Sequence, residues 1–231
     1  MIAILSDIHG NLEALQAVMC DAKSRGVENF YCLGDTVGFG PDPGACLEIV
    51  QSFELCLSGN WDYFVAGVGD MHSRRGQRVL DFWRQRTRSQ LTTSQISFLA
   101  KCHSVHRIDE RTYAHGDPLD SVNGYLFPET VYSKTKMDQY YAKVDEVFFC
   151  GHTHLGGVFQ MYRFTDCAQF EGRFSLDHLP TIINVGSVGL PRDEDPRACY
   201  LIDYGQEFEF VRVPFDVDAN RRKLDGLGGP S

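Results

Sequence analysis

Short apolar runs that end at a polar or glycine-containing turn recur in the first sixty residues. Apolar runs of four or five residues between polar boundaries predict buried strands. The three predicted strands, with the turns after them, are residues 2–5 before Ser6-Asp7, 29–33 before Gly34-Asp35 and 54–57 before Gly59-Asn60. Open α/β sheets bind ligands at the carboxyl ends of their strands. The pattern therefore predicts a site built by these three turns.

Helical spacing of apolar residues follows the first strand and returns in the middle of the chain. From residue 11 to about 22 the apolar positions form one helical stripe, which Gly26 ends. Residues 67–110 have a mostly helical pattern, with one candidate helix at 75–88 and another at 93–101 that has a threonine N-cap.

Strand patterns return in the second half, at residues 112–115, 146–150, 158–162, 181–184, 198–202 and 207–213. We expect these strands to form the second sheet of a two-sheet β-sandwich flanked by helices, an α/β (α+β) fold. With no repeat or interdomain linker, residues 1–225 are predicted to form one domain with a helical insert at about 67–110. The Gly/Pro-rich residues 226–231 are predicted to be a flexible tail.

Composition limits the partners that this chain is expected to bind. With 231 residues, 43% of them hydrophobic, it is long and apolar enough to bury a sizeable core. Its formal net charge of −9 disfavours nucleic acid and acidic membranes as partners. The formal net charge does not include bound divalent cations. Their positive charge would allow a local anion-binding site in a chain that is negative overall.

The eight cysteines are dispersed and form no C-x-x-C pair. The first residues lack the basic segment and long apolar run of a signal peptide. No apolar stretch approaches the ~18 residues that a membrane span needs. We therefore expect reduced thiols, no membrane association and a cytoplasmic location.

Metal-binding side chains are concentrated in five short blocks. These are Asp7-Ile8-His9, Gly34-Asp35, Gly59-Asn60-Trp61-Asp62, His115-Gly116 and Gly151-His152-Thr153-His154. Asp, Asn and His donors suit hard to borderline divalent ions. If the chain were still extended after the first strand, Asp7 and His9 would point the same way and could bind one ion. The donors suffice for two ions that share a carboxylate, a common device for hydrolysing phosphate esters.

The order of the five blocks resembles the calcineurin-like metallophosphoesterase superfamily, in particular its small bacterial and archaeal phosphodiesterase-like members. The resemblance runs from Met1 to about Tyr204 and includes the Gly-rich residues 184–189. It implies the two-sheet fold of that superfamily and two divalent metal ions, which are Mn, Fe, Zn or Ni, with Mn favoured. The implied ligands are Asp7, His9, Asp35 and His154 for the first ion and Asp35, Asn60, His115 and His152 for the second.

The same resemblance implies an enzyme that hydrolyses phosphodiester bonds of a small or nucleotide-like substrate by attack of a metal-bridging hydroxide. The implied catalytic residues are Asp35 as the bridge, Asn60, Asp62 and Asn11, although Asn11 is equally well explained as a helix N-cap. Two other functions stay open: a phosphomonoester or phosphoprotein phosphatase, and a non-catalytic interaction scaffold like the retromer subunit of this fold. The intact ligand set favours the enzyme. Assembly into a homo-oligomer also stays open.

Trp61 stands where the superfamily usually has a histidine that protonates the leaving oxygen. An indole N–H has no acid–base role. General acid catalysis, worth ~10²–10⁴-fold, is therefore not expected from this position, although Asp62 is retained beside it. This departure favours a phosphodiesterase over an enzyme acting on monoesters with poor leaving groups.

Several features outside the blocks have two interpretations each. The arginines at 74, 75, 78, 84, 86 and 88 form either a solvated helix face, with Val79, Leu80, Phe82 and Trp83 packed inward, or a phosphate-recruiting cap. Residues 118–128 form either a core-packed loop or a substrate wall in which Tyr125 or Phe127 stacks on a base.

Residues 184–189 either close around the site through backbone groups or form a simple turn. Arg192 is either solvated or in contact with phosphate. The histidines at 72, 103, 106 and 178 match no block and are expected to lie outside the site.

Overall fold

The computed structural model describes residues 1–71 and 76–228. The strands are β1 (Ile2–Leu5), β2 (Asn29–Cys32), β3 (Leu55–Cys56), β4 (Val105–Ile108), β5 (Arg111–Ala114), β6 (Val147–Cys150), β7 (Gly157–Gln160), β8 (Arg163–Asp166), β9 (Phe174–Ser175), β10 (Thr181–Asn184), β11 (Ala198–Asp203) and β12 (Glu207–Val213). The α-helices are α1 (Leu12–Ser24), α2 (Pro43–Val50), α3 (Asn60–Ala66), α4 (Gln77–Ser89), α5 (Thr93–Lys101), α6 (Lys134–Tyr141) and α7 (Val217–Asp225).

The strands in the described part of the chain form two six-stranded sheets. The first has the order β3-β2-β1-β11-β12-β9, and the second has the order β4-β5-β6-β10-β7-β8. Strands β1, β2 and β3 run parallel to one another, as do β5, β6 and β10. The predicted two-sheet sandwich flanked by helices is thereby confirmed.

Two strands lie in a different sheet from the one expected. The strands β11 and β12 were assigned to the second sheet, but β11 pairs antiparallel with β1, so that Ile4 lies opposite Leu201. Because this pairing joins segments nearly two hundred residues apart, the local pattern of either strand could not reveal it. The edge strand β4 is a second difference, since it lies inside the stretch that was predicted to be mostly helical.

Burial on both faces explains why the strands near the site are continuous apolar runs. One face of the first sheet packs against α1 through residues such as Leu5 and Leu15. The other face meets the second sheet, where Ile4 packs in one cluster with Phe149 and Ile183. The central strands are therefore rigid supports for the turns at their ends.

The helices α3, α4 and α5 pack together as a layer beside the first sheet. Leu80 and Trp83 of α4 pack against a buried cluster that includes Trp61, Phe64 and Leu99. Val79 was expected to face inward as well but is 42% exposed. Thr92 caps α5, as predicted, by accepting a hydrogen bond from the amide of Gln95.

Some predictions fall outside the residues that the structure describes. These concern His72, Arg74, Arg75 and the last residues of the predicted tail, 229–231. The single-domain boundary at residue 225 stays a prediction. No helix within the described residues is long and apolar enough to cross a membrane.

Candidate metal centre

The strand ends of both sheets bring the five sequence blocks to one place. The amide of Asp7 donates to the carbonyl of Gly34 (3.0 Å), and the amide of His9 donates to the carbonyl of Asp35 (2.9 Å). These bonds continue the parallel β1–β2 pairing beyond the strands and hold the two aspartate turns side by side. From the second sheet, His115 follows β5, and His152 and His154 follow β6.

Glycine at position 59 allows the third turn to approach Asp35. A Cβ atom at Gly59 would lie 2.1 Å from Oδ1 of Asp35. The amide of Trp61 donates to this same Oδ1 (2.8 Å). The other oxygen, Oδ2, lies 3.4 Å from Nε2 of His115 and 3.7 Å from Nε2 of His9. One carboxylate oxygen therefore faces two groups of imidazoles.

Seven predicted ligands gather into two neighbouring groups. In the first group, Nε2 of His154 lies 3.1 Å from Nε2 of His9 and 3.2 Å from Oδ1 of Asp7. The second group consists of Asp35, Asn60, His115 and His152. In that group, Nε2 of His115 lies 3.0 Å from Nδ1 of His152 and 3.1 Å from the Asn60 side-chain oxygen.

The donor chemistry and burial of the two groups fit divalent metal ions. One donor atom from each of Asp7, His9 and His154 lies within 4.8 Å of the others, and the same holds for Asp35, His115 and His152. All six side chains are buried. Oδ1 of Asp7 is buried and has no hydrogen-bond partner among the described residues, although three imidazoles surround it. A bound cation would satisfy this carboxylate oxygen.

Five of the predicted ligands have a left-handed backbone conformation. The φ angles of Asp7, His9, Asp35, His152 and His154 lie between 50° and 66°. Few non-glycine residues adopt such angles, although Asp and His tolerate them better than most. The expectation that Asp7 and His9 lie on extended chain is therefore wrong. The chain turns at each residue, and the tight turns bring both side chains into one group.

Backbone carbonyls orient two of the imidazoles. Nδ1 of His9 lies 3.3 Å from the carbonyl oxygen of Val37, and Nδ1 of His154 contacts the carbonyl of Leu190. A proton on each Nδ1 would satisfy these carbonyls and leave both Nε2 atoms unprotonated and facing the cluster. Such outer contacts commonly set the tautomer of a metal-binding histidine.

Burial and the mixture of charges shift the ordinary pKa values in this centre. Burial lowers the pKa of His9 to about 4 and that of His152 to about 3. Burial also opposes a charge on His115, but Asp35 and Asp7 outweigh it and raise the His115 pKa to about 9. The pKa of Asp7 lies well below its usual range because His154 and His115 outweigh the effect of burial.

Asp62 joins two of the ligand turns. Its buried carboxylate accepts hydrogen bonds from the amides of Gly59 (3.0 Å), Val37 (3.1 Å) and Thr36 (3.3 Å). Burial, and then repulsion from Asp35, raise the pKa of Asp62 to about 7. These contacts make Asp62 a positioning residue for Asp35 and Asn60, and its predicted catalytic role stays a prediction.

Asn11 caps α1 and links three segments. Its side-chain oxygen accepts from the amide of Ala14 (3.1 Å) and from the side chain of Asn220 (3.0 Å). Its side-chain nitrogen donates to the carbonyl of Gly189 (2.9 Å). The structure thus accounts for the N-cap interpretation of Asn11 completely. The side-chain nitrogen of an asparagine carries two N–H donors, and the contact with Gly189 uses one of them. The predicted catalytic role of Asn11 stays a prediction.

Trp61 lies in an aromatic layer beside the centre. Its buried ring meets Phe39 edge to face at 4.5 Å between centroids and Phe64 at 5.9 Å. Phe39 in turn packs on the ring of His9 at 5.3 Å. The indole therefore supports the wall around His9 in place of the histidine that the superfamily usually has there.

The loop between β10 and β11 supports the ligand turns with its backbone. The amides of Val188 and Gly189 donate to the carbonyls of Ser6 (3.0 Å) and Asp7 (2.9 Å), and the hydroxyl of Ser187 donates to the same Asp7 carbonyl (2.9 Å). The loop packs so closely that a Cβ atom at Gly189 would lie 1.8 Å from the carbonyl oxygen of Ile8. Residues 184–189 therefore close around the site, as one of the two interpretations held.

Sequence reasoning did not assign functional roles to Asn184 and Ser187. The side chain of Asn184 donates to the carbonyl of Gly151 (2.6 Å) and to the hydroxyl of Thr153 (2.9 Å), which holds the turn that carries His152 and His154. A polar residue directly after the apolar pair Ile182-Ile183 was the signal that could have identified Asn184.

The arginines that the structure describes on α4 have mainly packing roles. The guanidinium of Arg84 lies 4.7 Å from the ring centroid of Phe64, and Arg88 donates to the carbonyl of Val65. These contacts fasten α4 to α3, whereas Arg78 is exposed. Both interpretations of these arginines, a solvated helix face and a phosphate-recruiting cap, stay predictions, and Arg74 and Arg75 lie outside the described residues.

The aromatic residues after His115 lie beside the centre. The ring of Tyr125 stacks on that of His152 at 3.7 Å between centroids. Arg192 is exposed and favours the ionised form of Tyr125, opposing the rise in the Tyr125 pKa that burial causes. The other histidines that the structure describes, His103, His106 and His178, are exposed and belong to neither donor group.

The fold and the donor groups together define the class of metal-dependent phosphoesterases, which are hydrolases. This class has a two-sheet α/β core with carboxylate and imidazole donors at the strand ends. The model of the calcineurin-like phosphoesterase superfamily domain matches residues 1–207. The chain belongs to this superfamily, and the resemblance that the five blocks indicated is confirmed.

Individual proteins resemble this chain in sequence or in fold. The chain is 33% identical to the uncharacterized protein MJ0912 of Methanocaldococcus jannaschii, over 97% of this chain and 91% of that protein. Its structure is similar to that of a metallophosphoesterase from Sphaerobacter thermophilus, with a TM-score of 0.85, 28% identity and coverage of 100% and 94% of the two chains. A hypothetical protein of Pyrococcus horikoshii, PH1004, shares the fold with a TM-score of 0.72, 19% identity and coverage of 100% and 95%.

Proposed function

We propose that the protein is a phosphodiesterase that uses two divalent metal ions, with Mn favoured, to hydrolyse a small or nucleotide-like diester. The observation that carries the proposal is the pair of adjacent buried donor groups. Oδ2 of Asp35 faces imidazoles of both groups, at 3.4 Å from His115 and 3.7 Å from His9. An oxygen in this position can serve as the bridge between two sites.

The residues of this chain prepare the centre for catalysis. When bound, two ions supply an activated water and neutralise charge on the phosphoryl oxygens. His9 and His152 are held neutral at pH 7 by burial, so that they can bind cations without losing a proton. Asp62 holds the turns of Asp35 and Asn60 together through three backbone amides. This framework limits the movement that binding would otherwise require.

The surroundings of Trp61 favour diesters over monoesters with poor leaving groups. Position 61 offers a buried indole, which cannot protonate a leaving oxygen. Asp62 beside it uses both carboxylate oxygens to accept backbone hydrogen bonds. Substrates whose leaving groups depart without protonation therefore fit this site best.

Hydrolysis by the metal-reconstituted protein tests the proposal. Metal-free protein is loaded separately with Mn, Fe, Zn or Ni, the bound metal is counted, and rates are measured on bis(p-nitrophenyl) phosphate, p-nitrophenyl phosphate and a phosphopeptide. We expect two ions per chain and the highest kcat/KM for the diester. The variant His115→Ala should lose activity, whereas His106→Ala, which changes an exposed histidine outside both donor groups, should retain it.

Two outcomes contradict the proposal in different ways. Faster hydrolysis of the phosphopeptide or monoester would identify a phosphatase. Two bound ions without hydrolysis of any ester would identify an interaction scaffold.

We also propose a cytoplasmic location and a small diester or other phosphorylated molecule, rather than nucleic acid or a membrane, as the binding partner. The eight cysteines are free, and the net charge of −9 opposes binding to polyanions. Self-association is tested by light scattering of the metal-loaded protein.

A further inference from the structure

Three aromatic rings form a row that begins at a predicted metal ligand. Tyr125 stacks on His152 with 3.7 Å between the ring centroids and 30° between the planes. Phe127 lies parallel to Tyr125, with 5.3 Å between the centroids. The row therefore connects the metal centre to the surface of the loop that follows His115.

The two outer rings of this row are accessible to a ligand. Tyr125 and Phe127 are each 42% exposed, whereas Leu126 between them is 2% exposed. This alternation is typical of an extended segment, in which successive side chains point to opposite sides. Leu126 anchors the segment in the core, so the core-packed interpretation holds for Leu126 and does not hold for the two rings.

The loop that carries the rings is ordered by Asp117. One oxygen of its buried carboxylate accepts from the amides of Leu119 and Asp120 (both 2.9 Å), and the other accepts from the hydroxyl of Tyr140 (2.6 Å). Gly124, directly before Tyr125, donates its amide to the carbonyl of Asp120 (3.0 Å). A surface ordered before binding loses little conformational entropy when a ligand docks on it.

A positive charge lies on the same rim. Arg192 is exposed and follows the loop that supports the Asp7 turn. Leu190, two residues before it, contacts Nδ1 of His154 through its carbonyl, which brings this cation near the donor groups in a chain whose net charge is −9. An exposed cation beside exposed aromatic faces suits a ligand that has a planar ring at one end and a phosphate at the other.

We propose that Tyr125 and Phe127 form the base-binding wall of the substrate site and select diesters that carry a nucleobase. The base stacks at the outer end of the row, on Phe127, which Tyr125 backs on its inner side, and this contact positions the attached phosphate at the adjacent donor groups. The assignment rests on the proposed function, because it deepens the substrate class of the same site.

Binding of two hydrolysis-resistant probes tests this assignment on the Mn-loaded protein. The phosphonate analogue of AMP carries a base, whereas methylphosphonate carries none. Calorimetry should show that Tyr125→Ala and Phe127→Ala each raise the Kd of the AMP analogue by roughly 5- to 100-fold, the range of base–aromatic stacking. The Kd of methylphosphonate should stay unchanged. In turnover, KM for a nucleotide diester should rise while kcat is retained, as expected for lost uniform binding.

Two control variants separate stacking from structural damage. Tyr125→Phe keeps the ring and should bind both probes as the wild type does. Tyr162→Ala removes a tyrosine that is also 42% exposed but lies in the turn between β7 and β8, at the other end of that sheet from His154. It should leave both Kd values unchanged. Because Tyr125 packs on His152, metal content is measured for every variant, and Phe127→Ala repeats the test one ring away from the ligand.

The outcomes are distinct for the two proposals. Unchanged affinity for the AMP analogue in both alanine variants, or an equal loss for both probes, would overturn the base-binding wall. Base-dependent binding that requires the rings, in a protein that hydrolyses no diester, would support the wall and overturn the proposed enzymatic function.

Discussion

At the scale of single residues, the ligands of the candidate centre hold backbone conformations that most side chains avoid. Left-handed φ angles at Asp7, His9, Asp35, His152 and His154 cost roughly 1 kcal/mol or more each. Hydrogen bonds from the neighbouring turns and buried packing hold these conformations. Functional sites often contain such strain, because a fixed geometry is needed there.

Substitution of Asp35, the proposed bridge, should affect both of the proposed metal sites. We expect Asp35→Asn to weaken binding of both ions, because it removes the negative charge that faces His9 and His115. His9→Ala and His115→Ala should each deplete mainly one ion. Metal analysis of the purified variants measures this. Two tightly bound ions and full hydrolysis in Asp35→Asn would contradict the bridging role.

The lack of an acid at position 61 should make the rate depend on the leaving group. Among aryl diesters, the hydrolysis rate of the wild type should fall steeply as the pKa of the leaving phenol rises. Trp61→His places an imidazole beside Asp62 and should flatten this dependence. The measurement is kcat for a graded series of diesters under conditions where the chemical step limits the rate.

The control for the Trp61→His prediction must account for the packing of the indole. Loss of the buried indole from its contacts with Phe39 and Phe64 leaves a cavity. Replacement of a buried tryptophan by alanine, the largest change of this kind, lowers the free energy of unfolding by about 3–5 kcal/mol. Trp61→Phe retains more of the volume and supplies no acid, so it should keep the steep dependence. A shallow dependence in the wild type would show that another group protonates the leaving oxygen.

At the scale of elements, the turns at the strand ends depend on a loop from a distant part of the chain. The segment between β10 and β11 hydrogen-bonds to Ser6 and Asp7 through Ser187, Val188 and Gly189. The carbonyl of Leu190 then contacts His154. One loop therefore positions ligands from the first sheet and from the second, although it supplies no predicted ligand itself.

Removal of one hydroxyl from this loop should weaken metal binding. Ser187 donates to the carbonyl of Asp7 and accepts from the amide of Leu190, both at 2.9 Å. We expect Ser187→Ala to lower metal affinity about 10- to 100-fold, the usual effect of losing an outer contact of a ligand. The free energy of unfolding should fall by about 1–3 kcal/mol, because the amide of Leu190 loses its partner and the carbonyl of Asp7 keeps only the amide of Gly189.

Metal titration and thermal unfolding of Ser187→Ala check this prediction. The control is Ser175→Ala, which changes an exposed serine in the edge strand β9. Equal metal affinity in Ser187→Ala and the wild type would show that the loop does not position the ligands.

At the scale of the whole molecule, two sheets converge on a buried set of charges. The parallel strands β1 and β2 deliver Asp7 and Asp35, while β5 and β6 of the other sheet deliver the histidines. Packing of the sheets against each other through Ile4, Phe149 and Ile183 excludes water between them. In this buried environment, the carboxylates of Asp35 and Asp7 raise the pKa of His115.

Metal binding should therefore release a proton near neutral pH. Asp35 and Asp7 raise the pKa of His115 from its ordinary 6.5 to about 9, so its interaction with them stabilises the metal-free fold below pH 6.5 and is lost as the pH rises through 9. A ligand imidazole must be deprotonated, so binding at pH 7.5 should release about one proton per chain.

Calorimetry in two buffers of different ionisation enthalpy measures the protons released. At pH 10 His115 has already lost its proton, so its contribution should vanish and only protons from metal-activated water should remain. In His115→Gln, binding of the remaining ion should release fewer protons than metal binding to the wild type releases. No proton release from the wild type at pH 7.5 would contradict the raised His115 pKa.

The sequence by itself determined most of the strands and the donor residues of the candidate site, because both are encoded locally. Apolar runs before Asp7, Asp35 and Asn60 marked the strand ends, and the order of the blocks indicated the superfamily. Only the tertiary structure decided the sheet to which β11 and β12 belong, the left-handed turns at the ligands and the exposure of Tyr125 and Phe127. These features depend on pairing and packing between residues far apart in the chain, which local periodicity does not record.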